Sequence, residues 1–109
     1  MRRVRVHPFA IREIRAAYRW YEGERPGLGA EFLRAVQAAL EMARVHPAAS
    51  TPLGLRTRRA LLSRFPYLVL FTIESEQVVV TAIQHMHRDP RGWADRVHDR
   101  AVNRALAEA

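Results

Sequence analysis

The chain has no cysteine and no lysine among its 109 residues. Without cysteine there can be neither a disulfide framework nor a thiolate metal site. Without lysine there is no side-chain amine to serve as Schiff-base nucleophile or proton donor. All eighteen basic residues are arginine, a poor proton-transfer group and a good fork for phosphate or carboxylate. No apolar run approaches the roughly 18–20 residues that span a bilayer. The start, "MRRVRVHPFA", has no long apolar core or small-residue cleavage site, so a secreted product is not expected and the cytoplasm is. What is present is an ordinary apolar share, 49%, and a net charge of +7. The first fits one folded domain over residues 1–109; the second favours an acidic partner, nucleic acid or protein.

Local patterns divide the chain into few elements. Arg2 to Val6 alternates charge with valine, as a half-buried strand does. Pro8 suits the first turn of a helix. From Phe9 to Tyr21 the residues Ala10, Ile14, Ala17, Tyr18 and Tyr21 recur at helical spacing, and Arg12, Arg15 and Arg19 form another stripe. "GERPGLG", Gly23 to Gly29, breaks this helix. A second follows through Leu28, Phe32, Val36, Leu40 and Ala43, ending at Arg44, His46 and Pro47. Residues 46–55 read as a loop. Three strands are predicted beyond it, at Arg56–Phe65, Tyr67–Glu74 and Gln77–Met86, with "ESEQ" as a tight hairpin turn. Pro66 cannot sit inside a strand and marks the reversal between the first two, with trans as its expected form. Asp89 and Pro90 then open a predicted last helix with Trp93, Val97, Ala101 and Leu106 on one face and Arg96, Arg100 and Arg104 on another. The order β-α-α-β-β-β plus a C-terminal helix is α+β: a small, mainly antiparallel sheet packed on a helical hairpin.

Several side chains could carry chemistry. Arg56, Arg58 and Arg64 can project alike along a strand, with Arg59 on the other face. His85 and His87 lie at i and i+2. With Asp89 they could approach a metal, but no fourth ligand is apparent, so no metal or cofactor is expected. Phe65 and Tyr67 read as core, and Trp93 as an anchor for the last helix.

Three segments, "AIREIRAAYRWYEGERPGLGAEFLRAVQAAL", "RRALLSRFPYLVLF" and "VVVTAIQHMHRDPRGW", resemble the toxins of the ParE/RelE superfamily, on the ParE side. The likeness covers residues 3–96. Phe71 stands where the family usually has tyrosine, and residues 97–109 extend past its typical end. The resemblance implies the toxin half of a type II toxin–antitoxin pair: a growth inhibitor neutralised by a ParD-like antitoxin, meeting operator DNA only through that partner, and unconnected with membranes. It also implies a target, DNA gyrase for ParE-like members or ribosome-bound messenger RNA for RelE-like ones. Cutting RNA through its own 2′-hydroxyl needs a base, an acid and cations on the phosphorane. For that reading the candidates are Arg64, Tyr67, His85, His87 and Arg88. Against it stand the missing lysine and Leu68, found where many such nucleases place arginine. For binding a target or antitoxin the candidates are Arg12, Arg15, Arg19, Arg56, Arg58, Arg59, Arg64, Arg88, Trp93, Arg96 and Arg100. The expectation is a gyrase-binding toxin without catalytic chemistry; the alternatives are an mRNA endoribonuclease and a non-toxic, toxin-derived binding module.

Overall fold

The computed structural model describes residues 2–86. The predicted C-terminal helix and the candidates His87, Arg88, Asp89, Trp93, Arg96, Arg100 and Arg104 lie outside these residues. Within them the order is β1 (Arg3–Val6), α1 (Pro8–Glu24), α2 (Leu28–Val45), a 3₁₀ turn (Pro47–Ala49), β2 (Thr51–Leu53), β3 (Thr57–Leu61), β4 (Tyr67–Glu74) and β5 (Gln77–His85). The strands form one five-stranded sheet in the order β1-β5-β4-β3-β2. Only the β1–β5 pairing is parallel. The α+β reading therefore holds. One element differs: residues 46–55 are not all loop. Thr51–Leu53 pairs with Arg59–Thr57 as an edge strand. Pro52 hides it from pattern reading, although an outermost strand is where proline is tolerated.

The helical hairpin is tighter than the glycines suggest. Only Arg25 to Gly27 separates the helices, because α1 runs on through Gly23. Glu22 explains how α2 can start so abruptly. Its carboxylate accepts from the amides of Gly27 (3.0 Å) and Gly29 (2.9 Å), two donors that a helix start leaves without partners. Gly29 also allows the close approach of α1. A Cβ there would lie 2.8 Å from the Tyr18 ring and 2.9 Å from its carbonyl oxygen. At the other end of α1, His7 is the N-cap: its Nδ1 accepts from the Phe9 amide at 3.2 Å.

The core joins Ala10, Ala17 and Tyr21 of α1, Phe32, Val36, Ala39 and Ala43 of α2, and Val69, Phe71, Val78, Val80 and Ile83 of the sheet. Each large side chain buried this way contributes about 1.5–3 kcal/mol of transfer free energy. Beyond the last β1–β5 pair, Val6–Val80, β5 loses its strand neighbour on that side. Glu13 of α1 takes over, accepting from the Ile83 amide (3.2 Å) and from Gln84 Nε2 (3.1 Å).

Candidate functional site

The turn around Pro66 spans three residues. Pro66 is trans, as expected, for no peptide bond among the described residues is cis. The reversal is not a β-turn with proline at its second position. The Tyr67 amide donates to the Phe65 carbonyl at 2.8 Å, a three-residue γ-turn centred on Pro66. The fixed φ of proline matches the centre of an inverse γ-turn. Arg64 precedes it with φ of 72°, a left-handed conformation rare outside glycine. The Pro66 carbonyl then accepts from the Met86 amide at 2.8 Å, fastening the turn to the end of β5.

This geometry delivers Phe65 and Tyr67 into an aromatic cluster. The Tyr67 ring centroid lies 5.2 Å from Phe32, 6.2 Å from Tyr21 and 5.2 Å from His85, all edge-on. Phe65 lies 4.9 Å from Tyr21 and 5.4 Å from Phe32. Edge-to-face pairs at these spacings are stabilising. The Tyr21 phenol is pushed above its ordinary pKa, first by burial and then by its hydrogen-bonded neighbour Tyr67. Of the candidates for RNA cleavage, Tyr67 and His85 are thus brought together, as packing partners. Arg64 stays exposed at the turn, 3.8 Å from Glu31, which is also paired with Arg25 at 3.0 Å. Leu68 is buried on the neighbouring position of β4.

The arginines do not gather as the strand pattern predicts. Arg56 and Arg64 fall in the turns flanking β3, so the two-residue period does not reach them. Arg58 is a strut: it donates to Ser50 Oγ and the Ser50 carbonyl at 2.7 Å each, tying β3 to the start of β2. Arg59 is exposed. Arg12, Arg15 and Arg19 are all exposed along α1, as a solvent stripe would be. Arg12 packs on the Phe9 ring, 4.8 Å from its centroid.

Sequence reasoning missed a concavity beside the helical hairpin. A cavity of about 790 Å³ opens beside α2 and β3. Ala38, Ala39 and Met42 form its α2 wall; Leu61, Leu68 and Met86 line it at the sheet end. Met42, Leu61 and Met86 are exposed apolar side chains, 53%, 62% and 48% accessible. The only signal in the sequence was the run of alanines on α2, which reads equally as a good helix. Among the described residues no cluster of three or more His, Asp or Glu could hold a metal ion. No described helix is long and apolar enough to cross a membrane.

Comparison with known proteins agrees with this architecture. One similar solved structure is a chain titled as the chromosomal ParDE toxin–antitoxin system from P. aeruginosa, with a TM-score of 0.71 and 14% identity over 80% of this chain and 98% of that one. At that identity the likeness establishes the fold. No curated protein matches. The sequence profile of the ParE toxin of type II toxin–antitoxin systems, parDE, matches residues 4–90. The chain belongs to the ParE toxin family.

Proposed function

We propose that this protein acts in the cytoplasm by binding DNA gyrase, with no bond-breaking chemistry of its own, and that a ParD-like antitoxin neutralises it. The observation that carries the choice of binding over RNA cleavage is the condition of Tyr67. Its ring is packed among Tyr21, Phe32 and His85, and its hydroxyl is bonded to Tyr21. Tyr67 is half-buried, so these contacts leave RNA only part of its surface, whereas a general acid or a base-stacking platform needs an open face. The candidate cation in the same turn, Arg64, is paired with Glu31.

The α2–β3 cavity supports the antitoxin part of the reading. Its lining is mostly apolar, with Arg59, His46 and Ser50 among it, and its rim carries exposed Met42, Leu61 and Met86. An amphipathic helix with three or four apolar anchors at i, i+3 or i+4 and i+7 suits such a groove. The net charge of +7 favours acidic residues on that helix's outer face. The test is to express the chain without an antitoxin and to measure gyrase supercoiling and transcript integrity together. Supercoiling is expected to fall while transcripts stay whole. Codon-positioned transcript cuts, persisting when gyrase carries resistance mutations, would overturn the proposal.

A further inference from the structure

Arg64 is the one non-glycine residue with positive φ among the described residues. That conformation lets Leu62 and Phe65 both enter the core across only Ser63 and Arg64, while the Leu62 amide donates to the Tyr67 carbonyl at 3.0 Å. Glycine adopts such a backbone freely, whereas a residue with a Cβ is strained there. The contact with Glu31 does not offset the strain. It is 3.8 Å long, the Arg64 side chain is 69% exposed, and surface pairs of this kind contribute little. Strained residues concentrate at binding sites.

The surroundings of Arg64 indicate what it binds. Its guanidinium and that of Arg25 converge on a single oxygen, Glu31 Oε2, at 3.8 and 3.0 Å. The three side chains carry two positive charges against one negative, and both arginines are mostly exposed. Glu31 stands one helical turn before Ala35, where the α2 wall of the cavity begins, and on the same helix face as Ala35, Ala38 and Met42. On the sheet side Ser63, next to Arg64, lines the same cavity. The cationic pair therefore stands at the Ala35 end of the apolar groove. We propose that Arg64 and Arg25 clamp a carboxylate of the antitoxin segment that fills this groove, carried by an aspartate or glutamate about one turn beyond its apolar anchors. The clamp rests on the reading of the cavity as the antitoxin's groove. Guanidinium forks match carboxylates, and Glu31 already turns both of them toward one such oxygen. The clamp also fixes which end of the groove receives the acidic end of the segment.

Arg64→Gly in the full chain tests the clamp. Binding of the cognate antitoxin is measured by calorimetry at low and high salt, and melting of the free chain alongside. Arg64→Gly is expected to raise the melting temperature by a few degrees, because the strain is relieved. It is expected to weaken antitoxin binding at least about tenfold and to make the affinity less sensitive to salt. Arg64→Asn, which tolerates the left-handed backbone without the charge, is expected to weaken binding equally. Unchanged affinity overturns the proposal. So does a fall in melting temperature for Arg64→Gly, which would make Arg64 a stabilising residue. Growth arrest lost at unchanged affinity would assign Arg64 to the target instead. Ala38→Trp, on the cavity wall, separates the clamp from the groove. If Ala38→Trp weakens binding and Arg64→Gly does not, the groove stands and the clamp falls. If Ala38→Trp has no effect, the antitoxin lies elsewhere and both fall.

Discussion

Phe32 and Ala39 lie two turns apart on α2, both buried against the sheet, but their surroundings differ. Phe32 meets Tyr21, Phe65 and Tyr67 with ring centroids 5.2–5.4 Å apart. Ala39 faces the cavity of about 790 Å³. One end of the helix is filled by interlocked aromatic rings; the other carries methyl groups that stop short of β3. Filled volume holds the fold together, because truncation there leaves a void that cannot collapse. Unfilled apolar volume does little for the isolated chain and is available to a partner. The helix thus separates stability from binding along its own axis.

Substitutions can sharpen or break this division. Phe32→Ala should have the largest effect, costing about 3–5 kcal/mol in urea unfolding by loss of buried area and creation of a cavity. A cost below about 1 kcal/mol would mean that the aromatic end is not the anchor. Gly29→Ala should cost about 1–3 kcal/mol, since the new Cβ meets backbone as well as ring atoms of Tyr18. The melting temperature measures it.

His7 contributes a smaller, pH-dependent effect at the start of α1. Burial first, and the Arg12 guanidinium second, hold its pKa below 6.5. As a cap its Nδ1 must be unprotonated to accept from Phe9. The unfolded chain therefore binds the proton more readily. The contribution of neutral His7 is complete above about pH 6.5 and is lost as pH falls to the lower folded-state value. Melting from pH 7.5 to 5 should show a steeper decline for the natural chain than for His7→Asn, which keeps a cap without titrating.

The smallest stability effect belongs to the open end. Ala38 is exposed on the cavity wall, so Ala38→Trp should move stability by no more than about 0.5 kcal/mol. It should still weaken antitoxin binding at least about tenfold by occupying the groove, as calorimetry would show. Unchanged affinity would place the antitoxin elsewhere.

Strong periodicity made most of the fold legible. Ala10, Ala17 and Tyr21, then Phe32, Val36 and Ala43, recur at helical intervals and are buried. The hairpin "ESEQ" sits where alternation breaks. What escaped depends on contacts distant in sequence or on compensation. β2 is three residues long, and its proline reads as loop until the neighbouring strand is known. Glu22 caps a helix it does not belong to, so no local capping signature shows it. The period-two reading of Arg56, Arg58 and Arg64 failed because turns, which have no such period, interrupt the run at both ends. The cavity was not legible at all: alanine at four-residue spacing fits a packed helix and a vacant wall alike. Of the site, Phe65 was recognisable as core, Tyr67 is only half-buried against it, and the pairing of Tyr67 with His85 depended on the β4–β5 register.

The account rests on Tyr67 and His85 serving as packing, so the most direct measurement is growth arrest by the Tyr67→Phe/His85→Gln variant expressed without antitoxin. Both changes preserve most of the buried surface and remove the proton-transfer groups. Arrest and supercoiling inhibition equal to those of the natural chain are the result predicted. Loss of arrest in a variant that melts within a few degrees of the natural protein, together with disappearance of transcript cleavage, would contradict it.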